Sequence, residues 1–242
     1  ECLVGSEMCI RDRFLDRDGT HKYAWQTSWG VSTRLIGALI MAHGDARGLI
    51  LPPAVAPVQA IVLPIAIHKA GVEEAARSVI DRLVAAGVRC EGDFSDQTPG
   101  WKFNEWEMKG VPVRIEIGPR DIEKGQACLF RRDTLEKSFA PLESVAETAE
   151  KLLEEIQKNM LEKSRRNRDA RIVRAADLKE LLAGVENKNF VKAGWCGCRE
   201  CEDRVKDYAA ATARVMLEDE ESDTCVVCGK KAKHTVVFAR AY

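Results

Sequence analysis

Two pairs of closely spaced cysteines near the end of the chain constrain its folding more than any other feature. Four residues separate Cys196 from Cys201, two separate Cys225 from Cys228, and 23 residues lie between the pairs. Four thiolates on two short turns are the ligand set of a tetrahedral zinc ion. Because four thiolates leave no open position for water, we expect a structural zinc that supplies folding energy to a small module with a thin core.

Other uses of these cysteines are less favoured. Cys198 is a fifth candidate ligand in the first pair. Buried cysteines without a metal are one alternative. A redox pair at Cys225 and Cys228 is a weaker one, since nothing places it at the start of a helix after a strand. The chain has nine cysteines, an odd number, and they cluster near its end, which favours metal binding in a reducing compartment over a secreted disulfide framework.

Composition narrows the class of protein. The net charge of the 242 residues is −1 at pH 7, so any contact with RNA must come from a local patch. No apolar run reaches the roughly 18 to 20 residues needed to span a bilayer, and no signal-peptide pattern is present. We therefore expect a cytoplasmic protein with no membrane partner, built from one large or two to three small domains.

A glycine and an arginine precede an apolar helix in the stretch from Gln26 to Pro64. Gly30 permits a tight turn or close approach to a ligand. Ser32 can cap the first turn, and Arg34 lies beside the helix N-terminus, where free N–H groups favour an anion. Its guanidinium can bind phosphate oxygens or stack on a base; the alternative is a salt bridge on a domain surface. Helical spacing predicts a buried face made of Leu35, Ile36, Leu39, Ile40 and His43.

This stretch resembles a known signature. TSWGVSTRLIGALI, followed by HGD, RGLILPP and AP, resembles the third motif of class II aminoacyl-tRNA synthetases, and more narrowly the prolyl-tRNA synthetases of the archaeal and eukaryotic type. The resemblance runs from about Phe14 to the last residue. It implies that Arg34 stacks on ATP and neutralises its charge, with Ser32 in the same pocket. It implies a border of the proline pocket at Thr27, Ser28, Trp29 and Gly30.

The resemblance implies a function as well as a site. The family activates proline with ATP, accompanied by Mg²⁺, and transfers it from prolyl-adenylate to tRNA(Pro). The full-length enzyme is expected to be a homodimer. The first two class II motifs are not found in this sequence, so we expect a C-terminal portion that is inactive alone. The alternatives are a non-catalytic RNA-binding paralogue that keeps the anticodon and zinc domains and, more weakly, a zinc-ribbon interaction module.

The resemblance also divides the chain into segments. Residues 1–13 do not match the family and are interpreted as a non-native leader. Residues 14–56 are expected to be the end of the antiparallel-sheet catalytic domain, 57–162 a mixed-sheet anticodon-binding domain, and 163–242 a small zinc-binding α+β domain. The predicted fold class is thus α/β (α+β). Within the last domain the resemblance favours Cys196 and Cys201 as ligands and leaves Cys198 spare.

Local patterns predict the elements of the anticodon-binding segment. Strand, helix, strand, strand, strand and helix follow one another, which predicts a mixed sheet with helices packed on it. Bounds are predicted for five of these elements: strand 60–67, helix 72–86 stopped by Gly87, half-buried strand Val111–Ile117, strand Gln126–Arg131 and a helix from Pro141 through about Met160. A further short helix, from Asp177 to Ala183, is predicted to close at Gly184.

Aromatic and charged residues alternate between Thr98 and Asp121, which we interpret as a loop followed by a strand. Proline codons begin with CC, so the anticodon ends in two guanines. Arginine can contact guanine N7 and O6, a carboxylate can accept from the Watson–Crick edge, and unstacked bases can lie on aromatic rings. The resemblance assigns this contact to Glu107, Lys109, Arg114, Arg120 and Asp121. The alternative is cross-strand ion pairing of Glu107, Arg114 and Glu116 on a solvated sheet face.

A basic run follows the predicted Pro141 helix. Residues 158–174 contain seven basic and two acidic side chains. Such a run is typical of an arm that contacts the phosphates of a tRNA stem. A solvated helix end and linker explains the same residues equally well.

Overall fold

The computed structural model describes residues 13–24, 30–218 and 221–240. The chain divides into two compact units, residues 1–41 and residues 42–242. The described residues form eleven strands and seven α-helices. None of these helices is long and apolar enough to cross a membrane.

A short hairpin opens the described part of the first unit. Strands β1 (Arg13–Leu15) and β2 (His21–Tyr23) pair antiparallel. Gly19 turns the chain between them with a φ of 73°, and its N–H donates to the Asp16 carbonyl at 2.9 Å. Asp18 and Gly19 thus form a tight turn between the two strands.

Helix α1 (Arg34–His43) follows, and the predicted burial of one face is wrong. None of its ten residues is buried, and Leu35, Ile36 and Ile40 are exposed. Helical spacing shows that a face is suited to burial, but it cannot show which surface covers that face. The Oγ of Ser32 does accept from the Arg34 backbone N–H, although at a long 3.4 Å.

A five-stranded sheet spans residues 60–141, and it is mixed, as the order of predicted elements indicated. Its strands are β3 (Ala60–Pro64), β4 (Cys90–Gly92), β5 (Val113–Ile117), β6 (Gln126–Arg131) and β7 (Lys137–Pro141). The spatial order is β4-β3-β5-β6-β7. Strand β3 is parallel to β4 and β5, whereas β5–β6 and β6–β7 are antiparallel.

Helices cover both faces of this sheet. They are α2 (Val72–Ala85), α3 (Pro99–Met108), α4 (Pro119–Glu123) and α5 (Val145–Asp169). Helices α2 and α5 bury one face in a large apolar cluster. On the other face, Phe103 and Trp106 of α3 pack against Ile61 and Leu63 of β3. All five residues of β5 are consequently buried, so the predicted half-buried strand is wrong.

Two further boundaries differ from the prediction. Residues 99–108 form helix α3 and not a loop: Thr98 Oγ1 accepts from the Trp101 N–H, and Pro99 occupies the first helical position. Pro141 ends strand β7, and α5 begins at Val145 after one 3₁₀ turn. Proline is acceptable at a strand end as well as at a helix start, so the residue alone was ambiguous.

A second sheet of four strands forms the rest of the second unit. Its strands are β8 (Ile172–Arg174), β9 (Phe190–Trp195), β10 (Ala211–Leu217) and β11 (His234–Arg240), in the order β10-β11-β9-β8. Helices α6 (Leu178–Glu186) and α7 (Arg199–Ala209) contribute to its separate core. Gly184 lies inside α6 and does not close it. A Cβ there would lie 2.7 Å from Val191 Cγ2, so glycine permits close packing of helix on strand.

Candidate metal centre and nucleic-acid interface

Two turns of the second sheet carry the paired cysteines. Cys196 follows the end of β9 directly, and Cys201 lies in the first turn of α7. Cys225 and Cys228 lie on the turn that precedes β11. Cys225 accepts from the Gly229 N–H at 2.9 Å and donates its own N–H to the Lys230 carbonyl at 2.7 Å. Backbone hydrogen bonds therefore fix the second turn.

The four sulfur atoms converge on one point. All four Sγ atoms lie within 4.8 Å of one another. Cys196 Sγ is 3.7 Å from Cys201 Sγ and 3.8 Å from Cys228 Sγ. Four sulfurs at about 2.3 Å from a tetrahedral ion would be about 3.8 Å apart. The described cluster thus has the size needed to hold a metal ion.

The thiols of the cluster differ in the direction in which their pKa values are shifted. Burial acts most strongly on Cys225, but backbone N–H groups of Val227 and Cys228 outweigh it and lower the pKa of that thiol to about 7. Burial raises the pKa of the Cys201 thiol, and neighbouring Cys196 raises it further. Several thiols packed together ionise with difficulty unless a cation lies among them, and a bound divalent ion would supply that charge.

Cys198 lies outside this cluster. Its side chain is exposed and contacts the Glu200 carboxylate. Its carbonyl accepts from Trp195 Nε1 at 3.0 Å, and the residue forms the N-cap of α7. Cys198 therefore stabilises the turn through its backbone, while its thiol is not one of the four clustered sulfurs.

A glycine positions the second turn against the first. Gly194 in β9 accepts from the Val226 N–H at 2.9 Å. A Cβ on Gly194 would lie 2.2 Å from the Thr224 carbonyl oxygen and 2.9 Å from Ser222 Cβ. Only glycine lets the strand approach the segment leading to Cys225 this closely.

Replacement of Gly194 by alanine is expected to destabilise the module. The methyl group must displace backbone, so we expect a cost of about 1–3 kcal/mol and weaker metal retention. Thermal unfolding and metal content measure both effects. Gly100→Ala in α3 is the matched control, since a Cβ there has nothing within 4 Å. Equal melting temperatures for the two variants would contradict the close approach.

A buried arginine organises the residues assigned to anticodon reading. Arg114 of β5 is 5% exposed. Its Nη1 donates to Glu107 Oε1 at 2.9 Å, and its Nε donates to Glu116 Oε1 at 3.0 Å. Lys137 donates to the other Glu116 oxygen at 3.0 Å. The ion pairs named as the alternative are present, but the face is not solvated: Arg114 and Glu116 are buried within β5, and Arg114 joins that strand to Glu107 of α3.

Aromatic rings enclose the same guanidinium. Arg114 Cζ lies 4.2 Å from the centre of the Phe103 ring and 4.1 Å from that of Phe130. A cation between two aromatic faces is stabilised electrostatically, and the planar group is held in one orientation. Arg114 is thus a rigid support, and its N–H groups are already directed at carboxylates.

The other assigned residues lie nearer to solvent. Arg120 is exposed in the short helix α4. Asp121 accepts from the Gly118 N–H at 3.0 Å and caps that helix. Lys109 pairs with Glu105 at 3.0 Å and lies 4.3 Å from the centre of the Trp106 ring. Of the set, Arg120 and Lys109 are the exposed cations.

The residues assigned to the catalytic pocket are described in part. Gly30, Ser32 and Arg34 are exposed. Thr27, Ser28 and Trp29 lie outside the described residues.

Two protein families match separate parts of the chain. Residues 59–159 match the family described as "Anticodon binding domain", which includes the five-stranded sheet. Residues 178–242 match "Prolyl-tRNA synthetase, C-terminal", which includes all four clustered cysteines.

Curated relatives match along most of the chain. A proline–tRNA ligase of Oceanobacillus iheyensis is 50% identical over 95% of this chain and 48% of its own length. One of Ruminiclostridium cellulolyticum is 52% identical over the same shares. The chain is similar to prolyl-tRNA synthetases along almost its whole length. It spans about half the length of these curated synthetases.

A solved synthetase has the same fold. A prolyl-tRNA synthetase from Cryptosporidium parvum, complexed with L-proline and AMP, superimposes with a TM-score of 0.85 at 39% identity. The alignment covers 95% of this chain and 51% of that synthetase. The family resemblance predicted from the sequence and the mixed α/β fold are therefore confirmed.

Three charged residues that lie around Glu107 were not identified from the sequence: Asp45, Arg47 and Arg132. Arg132 is 1% exposed and holds the Asp45 carboxylate with two bonds of 2.6 and 2.8 Å. Hydrogen bonding from Arg132 lowers the pKa of Asp45 to about 2. Arg47 bonds Glu107 at 3.3 Å. Asp45 and Arg47 belong to the HGDAR stretch of the sequence. Their partners, Arg132 and Glu107, lie 87 and 60 positions further along the chain, so no local pattern indicated these contacts.

Proposed function

We propose that this chain is part of a proline–tRNA ligase, which activates proline with ATP and transfers it from prolyl-adenylate to tRNA(Pro). Identity of about half over 95% of the chain with curated proline–tRNA ligases is the observation that carries this proposal. The chain would supply the third motif, anticodon recognition and a metal-stabilised domain. No described feature favours the non-catalytic paralogue. A homodimer of the full-length enzyme and a cytoplasmic location stay predictions.

The five-stranded domain would read the two guanines of the anticodon. Exposed Arg120 can contact a guanine edge with two bonds, and Lys109 can bind phosphate. Glu107 presents a carboxylate whose oxygens can accept from the guanine N–H groups. Arg114 acts differently from the sequence-based expectation: it is buried and would orient Glu107 instead of contacting a base.

The basic run would extend this interface. The run continues along the exposed end of α5, where the exposed cations include Lys163, Arg165, Arg166 and Arg168. Phosphate contacts of this kind are independent of sequence and weaken with salt. They would add affinity for the tRNA without selecting the proline anticodon.

The four cysteines would hold a zinc ion. Cys196, Cys201, Cys225 and Cys228 supply four sulfur donors, which is the set that structural zinc prefers. The ion would join the end of β9 to the turn before β11. It has no open coordination position in such a set, so its contribution is folding energy.

The third motif would contribute to the adenylate pocket. Arg34 would stabilise negative charge on ATP electrostatically, Ser32 would lie in the same pocket, and residues 27–30 would border the proline. Mg²⁺ would accompany ATP. None of these residues needs to move a proton, since charge stabilisation and orientation are sufficient roles for this half of the reaction.

Guanine selectivity tests the proposal. Two RNA stem–loops are compared, one with an anticodon ending in GG and one in which the last guanine is adenine. A single bidentate base contact is worth about 1–3 kcal/mol, so we expect roughly 5- to 150-fold tighter binding of the GG stem–loop. Arg120→Ala is expected to reduce that ratio. Equal binding of both stem–loops by the unaltered chain would contradict the proposal.

A further inference from the structure

The segment after α1 is fixed to the end of helix α3 by close backbone contact. Leu49 donates its N–H to the Met108 carbonyl at 3.0 Å, and Leu51 donates to the Gly110 carbonyl at 3.1 Å. A Cβ on Gly48 would lie 2.5 Å from Met108 Cα, which leaves no room for any other residue. Residues 45–51 therefore lie against the part of α3 that carries Glu107.

An ion pair between exposed Asp45 and buried Arg132 fixes the start of this segment. Both Asp45 oxygens accept from the guanidinium of Arg132, and the Nε of Arg132 donates to the Glu107 backbone carbonyl at 3.0 Å. Arg132 is almost completely buried, so its geometry is determined by these partners. One guanidinium thus joins Asp45 to the main chain of Glu107.

Arg47 then reaches the Glu107 carboxylate itself. Its Nη1 lies 3.3 Å from Glu107 Oε2, while Arg114 takes Oε1 at 2.9 Å. Each carboxylate oxygen can accept more than one hydrogen bond, so both oxygens remain able to accept from a base. The Arg47 side chain is 56% exposed and that of Glu107 is 15% exposed. An RNA base would meet the Glu107 carboxylate through this exposed fraction, on the side that Arg47 occupies.

We propose that Arg47 is a positioning residue that determines specificity for guanine, and that the Asp45–Arg132 pair holds it in place. Between Arg47 and Arg114 the Glu107 carboxylate has one orientation, and a carboxylate fixed in advance discriminates better between bases that differ in their N–H donors. The proposal rests on the proposed function. It adds a residue outside the anticodon-binding sheet to the machinery that selects the tRNA.

The experiment measures discrimination in the full chain. Kd values are determined for the GG stem–loop and for the stem–loop with adenine in place of the last guanine, for the unaltered chain, Arg47→Ala and Arg47→Lys. The discrimination ratio is the Kd for the adenine stem–loop divided by the Kd for the GG stem–loop. Loss of one positioned contact changes such a ratio about tenfold, so we expect Arg47→Ala to lower it by about that factor. Arg47→Lys keeps the charge and one bond, and is expected to recover part of the ratio.

A matched arginine separates positioning from general attraction. Arg77 forms an ion pair with Glu73 on helix α2, and its side chain is 60% exposed, close to the 56% of Arg47. Arg77→Ala also removes one positive charge, and we expect it to leave the ratio unchanged. Because exposed ion pairs add little stability, the melting temperatures of Arg47→Ala and Arg77→Ala should both match that of the unaltered chain.

Each outcome decides between definite alternatives. A ratio that falls with Arg47→Ala and partly returns with Arg47→Lys supports the proposal. Equal weakening of both Kd values by Arg47→Ala would make Arg47 a phosphate contact and overturn it, as would an unchanged ratio. If the unaltered chain itself fails to discriminate, the proposed function is contradicted, and the positioning role fails with it.

Discussion

Cys225→Ser is expected to abolish zinc binding and unfold the four-stranded module while the five-stranded sheet stays folded. The two sheets have separate apolar clusters, so loss of one core leaves the other intact. Zinc bound by four thiolates contributes about 10–16 kcal/mol at neutral pH in small domains. The free energy of unfolding expected for a module of this size is smaller than that contribution, so the module should not stay folded without the ion. The unaltered chain should contain one zinc ion per molecule by elemental analysis.

Cys198→Ser is the matched control for this prediction. Its thiol lies in the same first turn but outside the cluster, so we expect full zinc content and an unchanged melting temperature. Chelation of the unaltered chain should reproduce the Cys225→Ser result, observed as partial loss of circular dichroism. A chain that contains no zinc and unfolds in a single transition would contradict the metal centre.

Arg114→Ala is expected to damage both stability and recognition. It leaves the Glu107 and Glu116 carboxylates without their shared partner and empties the space between Phe103 and Phe130. Removal of one partner from a buried ion pair costs about 3–5 kcal/mol. We expect a lower free energy of unfolding in urea together with loss of guanine discrimination, because Glu107 is no longer oriented.

Arg120→Ala gives the contrasting result. Arg120 is exposed, so its replacement should leave the free energy of unfolding within about 0.5 kcal/mol of the unaltered value. Its effect should be confined to RNA affinity and discrimination. If Arg114→Ala is as stable as Arg120→Ala, the buried network does not support the sheet. If neither variant changes the discrimination ratio, this face does not read the anticodon.

Local chemistry is what the sequence reveals best. Gly87 was predicted as the stop of a helix, and its φ of 81° is a conformation that favours glycine. The cysteine spacing predicted four converging sulfurs because two short turns can present thiols to one ion. The order of strands and helices predicted the mixed sheet, and the family resemblance supplied its expected role in anticodon binding.

The misses share a physical cause. Burial of Arg114 depends on Phe130 and helix α3, and that of Arg132 depends on Asp45, 87 positions away. A local sequence pattern cannot indicate a partner that is so distant in the chain. The charged residues of β5 were therefore compatible with a solvated sheet face. The prediction for Gly184 was wrong for the same reason. Glycine is required there because the side chain of Val191 packs against the helix, and not because the helix ends.

The most direct test of the central claim is which tRNAs the chain selects from a mixture. Immobilised, zinc-loaded chain is incubated with total cellular tRNA at moderate salt, and the retained molecules are sequenced. The proposed function predicts strong enrichment of tRNAs whose anticodons end in GG, and reduced enrichment with Arg120→Ala. Retained tRNAs in the same proportions as the starting mixture would contradict it.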